Sequence, residues 1–282
     1  MTEAHCSQLG KDTVYDSPYN PELLFPLSRE HNRESLNLSS GKPLPFHGED
    51  LWTCYELSWL NLHGKPCVGV AYFRIPADSP FMIESKSFKL YLNSLNHAKF
   101  ESIEALSLIL VNDLSKAAGQ GVSVKICDVR DQFNNAQLIE KQYVCVDELD
   151  LEDFEYQPNP ALLKLDGDGT GDCHEEGLLC SHLLRSNCPV TGQPDWGTVY
   201  VRYRGLKIHH ESFLRYIISF RQCQDFHEHC VERIFTDLLK QCGCESLSVY
   251  ARYTRRGGLD INPYRATPDC ASIADDIRTA RQ

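Results

Sequence analysis

The feature that most constrains this chain is that its pattern occurs twice. Ser212-Phe213-Leu214-Arg215-Tyr216-Ile217-Ile218-Ser219-Phe220 follows the pattern of Ser87-Phe88-Lys89-Leu90-Tyr91-Leu92-Asn93-Ser94-Leu95, with Ser212 standing 125 residues after Ser87. Ser248-Val249 follows Ser123-Val124 at the same offset, and Phe226 follows Phe100 at 126. An offset this steady through several elements argues for internal duplication. In the first copy, Leu51–Leu62 and Pro66–Ile75 read as strands joined by a turn at His63-Gly64-Lys65. Ser85–Asn96 changes to helical spacing, with Phe88, Tyr91, Leu92 and Leu95 on one face. Ser102 caps a second helix whose face carries Ile103, Leu106, Ile109, Leu110 and Leu114, with Gly119 near its end. Val122–Val129 reads as a third strand and Tyr143–Val146 as a fourth. Two successive strands at the start of each copy disfavour parallel βαβ units. The expected fold class is α+β, each module an antiparallel four-stranded sheet with two helices on one face.

Residues 1–48 read as a polar N-terminal arm, 49–147 as the first module, 148–180 as an acidic, irregular connector and 181–282 as the second module. Asp166–Asp172 has the look of a calcium loop, but the twelfth position from Asp166 is Gly177, where a bidentate carboxylate is required, so it reads as a turn. The net charge of -11 weighs against non-specific binding to nucleic acid. No apolar run approaches the roughly 20 residues a membrane helix needs. Met1–Lys11 lacks a basic start followed by an apolar core, so the expected location is the cytoplasm. An odd total of 13 cysteines in a long chain fits reduced thiols better than disulfides.

Ser186–Gly197 holds Cys188 and, seven positions on, Asp195, with Pro189, Gly192 and Pro194 between them. Proline fixes φ and glycine permits turns, so the stretch reads as a shaped loop, neither helix nor central strand, with a strand over Thr198–Tyr203 behind it. A cysteine and an aspartate on a stiff loop suit a nucleophile and a proton donor. A small buried thiol beside an Asp-Trp-Gly turn is the plainer alternative.

Aligning the copies separates two polar sets. Glu84-Ser85-Lys86 opens a helix where the second copy has His209-His210-Glu211, and Phe226-His227-Glu228 opens one where the first copy has Phe100-Glu101-Ser102. The packing residues agree while the polar ones differ, as in two complementary half-sites. Drift among ordinary helix caps is the alternative. A helix N-terminus with Lys86 suits phosphate, ionised Glu84 accepts from N–H donors on a base edge, and His227-Glu228 joins a proton relay to an acceptor. Arg252, Arg255 and Arg256 ahead of Gly257-Gly258 form a basic, glycine-ended segment able to hold phosphates, or else a solvated strand end.

Four stretches, 83–91, 186–197, 226–233 and 250–263, together resemble the long, two-module NADPH-dependent 7-cyano-7-deazaguanine reductases, the nitrile reductases of queuosine biosynthesis. The likeness covers nearly the whole chain and is weakest over 1–40 and 155–180. It implies the tunnelling fold (T-fold), shared with GTP cyclohydrolase I, in which sites form where modules meet. It also implies reduction of the nitrile of 7-cyano-7-deazaguanine to an aminomethyl group with two NADPH, in a homodimer that binds neither membrane nor nucleic acid directly. By the same resemblance Cys188 is the nucleophile that adds to the nitrile carbon and Asp195 the proton donor. His227 assists proton transfer and, with Glu228, contacts the substrate. Ile83, Glu84 and Ser85 line the base pocket, and Ser85, Lys86, Arg256 and Gly257 hold NADPH. No GxGxxG-type fingerprint marks a Rossmann domain. Two rival readings stand beside this one. The first is a zinc-dependent cyclohydrolase liganded by His227, His229, Cys230 and Cys188. The second is a non-catalytic purine- or pterin-binding module. No metal is expected, since Cys242-Gly243-Cys244 is too isolated to be a site.

Overall fold

The computed structural model describes residues 18–38, 42–130, 134–135, 142–166, 174–270 and 277–282. The calcium-like stretch past Asp166 therefore lies outside the described residues. The chain falls into two compact units: one of 1–42, 49–132 and 255–261, the other of 43–48, 133–254 and 262–282.

The first unit contains, in order, β1 (Pro26–Ser28), α1 (Arg29–Glu34), β2 (His47–Leu60, from Glu49 onward), β3 (Pro66–Pro76), β4 (Phe81–Ile83), α2 (Ser85–Ser94), α3 (Ile103–Ala118) and β5 (Ser123–Cys127). β2 pairs antiparallel with β3, and β3 with β5. Between β2 and β3, Asn61 Oδ1 accepts from the N–H groups of His63 and Lys65, both at 3.0 Å, which sets the expected turn. Trp52 and Phe73 from the strands pack with Phe88 and Tyr91 of α2 and Leu106, Leu110 and Leu114 of α3 in one apolar core. Ser102 caps α3 through its hydroxyl, and Gly119 ends it at φ 73, a left-handed position suited to glycine. Ile103, expected on the buried face, is 48% exposed. The buried stripe steps by four through Ala118, Leu114, Leu110 and Leu106, so its next position is the cap and Ile103 falls beside it. Beneath the sheet Arg29 pairs with Asp50 at 2.5 Å and donates to Ser79 Oγ at 3.2 Å, so this buried ion pair is also hydrogen-bonded.

The second unit contains β6 (Asn134–Asn135), β7 (Val144–Cys145), β8 (His174–Asn187), β9 (Pro194–Leu206), α4 (His210–Ser219), α5 (His227–Cys242), β10 (Ser246–Tyr253), β11 (Leu259–Ala266, from Asn262 onward) and β12 (Ile277–Arg278). Its strand order is β11-β10-β9-β8-β7, antiparallel except for β7, which runs parallel to β8. β12 pairs with β6. The chain is thus α+β.

The duplication is repeated element by element. α2 and α4 each have 10 residues, α3 and α5 each 16, and β2 and β8 each 14. Tyr91 donates to Asp113 at 2.6 Å in the first unit, and Tyr216 donates to Asp237 at 2.8 Å in the second. A one-residue bulge lies in β2 between Cys54 and Leu57, and its counterpart lies in β8 between Ser181 and Leu184. The likeness extends into segments read as irregular from sequence. Asn20 caps a 3-10 turn over Pro21–Leu23 and donates its N–H to Ser94 Oγ at 3.2 Å. Asn159 caps one over Pro160–Leu162 and donates to Ser219 Oγ at 3.4 Å.

Two expectations need correcting. Tyr143–Val146, expected as the antiparallel fourth strand of the first module, supplies β7 of the second unit, paired parallel to β8. The 186–197 stretch is not a loop throughout: β8 runs to Asn187 and β9 starts at Pro194, so Asp195, Trp196 and Gly197 lie in a strand flanked by β8 and β10. Proline is tolerated there because it is the first residue of the strand.

Candidate active site

The turn proper is Cys188–Gln193. The Cys188 N–H donates to Gln193 O at 2.8 Å and its carbonyl accepts from the Gly192 N–H at 3.0 Å, with Gly192 at φ 68. The strand end before it is fastened from the side. Asn187 N–H donates to Cys223 O at 2.7 Å, and Asp225 N–H donates to Asn187 O at 3.0 Å. Cys223 and Asp225 lead directly into α5, so the turn that presents the thiol and the start of that helix are held by the same backbone bonds.

That fastening brings Asp195 and His227 together. Asp195 sits in β9 opposite Ser186 of β8, and its Oδ2 lies 3.5 Å from His227 Nε2, the first residue of α5. Cys188 is 7% and Asp195 8% exposed, so both are screened from bulk water without being sealed. The His227 ring lies on Tyr253 of β10 with centroids 3.8 Å apart and planes 6° apart. Its Nδ1 is buried without a hydrogen-bond partner among the described residues. Such an atom is costly unless it has a task. Burial, with Cys230 and Asp195 adding, pushes the Tyr253 phenol well above its ordinary value, so this ring is neutral. Glu228 follows in the first turn of α5, 4% exposed, where the helix dipole favours a carboxylate. A carboxyl group facing an imidazole can give up a proton and be recharged.

The zinc-ligand set of the rival reading is not a group whose ligand atoms converge among the described residues. His229 Nδ1 is taken by Asp225, which also lies 3.7 Å from Arg233. Cys230 is fully buried, and its thiol, donating to Cys223 and desolvated, is pushed well above its ordinary value, while that bond lowers Cys223. Among the described residues, metal-ligand atoms converge elsewhere, at Cys145, Cys180 and His182.

The first unit carries the remaining residues. Ile83 ends β4 and is buried in the core. Glu84 is the N-cap of α2: Oε1 accepts from Lys86 N–H at 2.6 Å and from Ser85 Oγ at 3.3 Å, and Oε2 from Ser87 N–H at 2.8 Å. Burial raises its pKa and these bonds oppose the rise. Its carboxylate is therefore first a helix cap, the role that the sequence reading held as the alternative. One turn along α2, Lys89 donates to Gly257 O and lies 3.5 Å from Glu56. The Arg256-Gly257 turn is thus tied to the helix that Ser85 and Lys86 begin. Gly257 and Gly258 have φ 60 and 78, and a Cβ on them would come within 2.7 Å of Lys89 Nζ and 2.4 Å of Glu56 Oε2. Of the three arginines, Arg255 stacks 5.1 Å over Tyr55 and Arg256 is exposed. Arg252, in the second unit, lies in β10, a strand buried on both faces, where it is 4% exposed and donates to Tyr250 at 2.9 Å.

Sequence reasoning missed Tyr253, Asp225, Lys89 and Glu56. Lys89 lies within a quoted motif, but nothing in its spacing showed that it reaches Gly257.

Residues 15–126 match the family described as "Nitrile reductase, 7-cyano-7-deazaguanine-reductase N-term", and residues 194–271 match "QueF-like protein". An NADPH-dependent 7-cyano-7-deazaguanine reductase of Chromobacterium violaceum is 52% identical over 276 residues, 98% of this chain and 96% of that protein. The protein of the same name from Ralstonia nicotianae is 50% identical over 282 residues, the full length of both. A solved apo structure of an archaeosine synthase QueF-Like aligns at a TM-score of 0.31 and 14% identity, covering 36% of this chain and 100% of that one, too weak a likeness to carry the fold.

Proposed function

We infer the reaction from one premise: this chain belongs to the family of NADPH-dependent 7-cyano-7-deazaguanine reductases. It is an oxidoreductase that reduces 7-cyano-7-deazaguanine with NADPH, in the queuosine pathway. The finer assignments are proposals. Cys188 is the nucleophile. Its thiol proton passes to the His227–Asp195 pair, and the sulfur bonds the nitrile carbon as the nitrogen takes a proton from Asp195, giving a thioimidate. A thioimidate C=N accepts hydride more readily than a nitrile does. After the first reduction the sulfur leaves as thiolate and frees an imine, and the second reduction gives the aminomethyl group. His227 holds Asp195 in place and returns protons to it, while Glu228, Ile83, Glu84 and Ser85 bind the base. When bound, NADPH would supply one hydride at each of the two reductions, so two molecules would be used per turnover.

The residues assigned to that cofactor suit an anionic dinucleotide. Arg256 is exposed on a turn where a Cβ would be crowded, and Lys89 ties that turn to the helix of Ser85 and Lys86. A tunnelling fold for each unit, a homodimer and a cytoplasmic location complete the proposal. The repeated strand-strand-helix-helix-strand order supports the first of these, and light scattering of the purified protein tests the second.

The observation that carries the reading is the 3.5 Å approach of Asp195 to His227 beside the fastened Cys188 turn. The experiment is intact mass after addition of 7-cyano-7-deazaguanine without NADPH. An adduct of substrate mass is expected, and it disappears in Cys188→Ala. An adduct that survives in that variant places the nucleophile elsewhere.

A further inference from the structure

Away from the catalytic turn, the edge of the second unit carries two thiols and an imidazole whose ligand atoms all lie within 4.8 Å of one another: Cys145, Cys180 and His182. The topology explains the meeting. β7 runs parallel to β8 with Cys145 in register with Cys180. Cys180 and His182 are two apart on β8, so they share a face. His182 also sits in the β8 bulge, where a strand re-aims a side chain.

The group is held in place rather than merely adjacent. Val146 N–H donates to Cys180 O at 3.1 Å. The Asp147 carboxylate accepts from Ser181 Oγ at 2.7 Å and from His182 N–H at 2.8 Å, so the residue two beyond Cys145 clamps the bulge. His182 Nδ1 lies 3.0 Å from Thr198 Oγ1. An oxygen partner on one ring nitrogen is how a ligating imidazole is ordinarily oriented, with the other nitrogen presented to a metal. The corresponding strand of the first unit has Thr53 and Tyr55 in the places of Cys180 and His182, so the duplicated fold does not itself require these ligands.

We propose that Cys145, Cys180 and His182 form a binding site for a zinc ion, coordinated by two sulfurs and one imidazole nitrogen with water in the fourth position. Sulfur and imidazole ligands select zinc over magnesium or calcium, which need oxygen. Each thiol releases its proton as its sulfur bonds the ion, and no electron changes hands. The bound ion ties the short strand β7 to the sheet and takes no part in the nitrile chemistry.

The test uses the full-length, thiol-reduced protein after chelator treatment, titrated with zinc and separately with cobalt(II). About one equivalent is expected to bind, and the cobalt form is expected to show thiolate-to-metal charge-transfer absorption. The band is expected to persist in Cys188→Ala and to vanish in Cys145→Ser. His182→Ala is expected to weaken binding by at least about tenfold. Cys145 is exposed, so its serine variant is expected to fold, and circular dichroism checks this. Three results overturn the site: no stoichiometric uptake by reduced protein, a cobalt band unchanged in Cys145→Ser, or a Cys145–Cys180 disulfide whose reduction yields no metal binding.

Discussion

The imidazole of His227 rests flat on the phenol ring of Tyr253, 3.8 Å between centroids and 6° between planes. This contact fixes the plane in which His227 meets Asp195. Tyr253→Phe keeps the ring and is expected to hold kcat within about twofold. Tyr253→Leu frees the imidazole and is expected to lower kcat about tenfold, with a smaller change in KM. Steady-state kinetics on the two variants checks the contrast, and equal activity in both removes the positioning role.

Asp195→Asn separates the steps of the proposed reaction. The thiol still reaches the nitrile, but nothing delivers the proton, so turnover is expected to fall about 10²- to 10⁴-fold. His227→Ala is expected to fall less, because Asp195 can still donate once. NADPH absorbance under saturating substrate gives both numbers.

Glu84 has two tasks to disentangle. Glu84→Ala removes the α2 cap and is expected to cost about 1 kcal/mol of stability, whereas Glu84→Ser retains a capping oxygen and most of that stability. Both variants are expected to lose substrate affinity if the carboxylate reads the base. Urea denaturation and ligand titration, run on the same two proteins, distinguish cap from contact.

Gly257→Ala places a Cβ 2.7 Å from Lys89 Nζ at a left-handed position. A strain of about 1–2 kcal/mol is expected, and the displaced Arg256 turn is expected to raise KM for NADPH more than KM for the nitrile. Unequal effects in the opposite sense would remove this turn from the cofactor assignment.

Buried thiols set an alkaline limit. Burial pushes Cys54 up to about 12, Cys242 to about 11 and Cys244 to about 12, from 9.0. The unfolded chain loses these protons first as pH rises. Stability is therefore full below about pH 9 and declines between 9 and 12. The urea midpoint at pH 8 is expected to exceed that at pH 10, and the gap is expected to narrow in Cys54→Ala.

The duplication was legible because packing residues repeat at nearly constant spacing. Phe88 and Phe213, or Tyr91 and Tyr216, fill the same place in each copy and are all buried. Helix caps were legible for the same local reason, as Ser102 and Gly119 show. The bounds of the 186–197 strands were not. Proline and glycine there announce a turn, but cross-strand pairing absorbs Asp195 and Gly197 into β9, and pairing is a tertiary fact. Arg252 misled because composition cannot tell that a strand is covered on both faces. The roles proposed for Cys188, Asp195, His227 and Glu228 came from the resemblance, although the loop had already singled out Cys188 and Asp195. Their fastening through Asn187, Cys223 and Asp225 uses backbone groups, which every residue possesses and no side chain advertises.

The bulge in β8 sets the phase of everything that follows it. One surplus residue between Ser181 and Leu184 reverses which side odd and even positions occupy, so the facing of Ser186 and the approach to Cys188 depend on a count of residues rather than on their identity. The twin strand keeps the same surplus, although it leads to no thiol in the turn behind it. Removing that one link would reverse the facing of the end of β8 and undo the fastening of Asn187 to Cys223 and Asp225 ahead of α5.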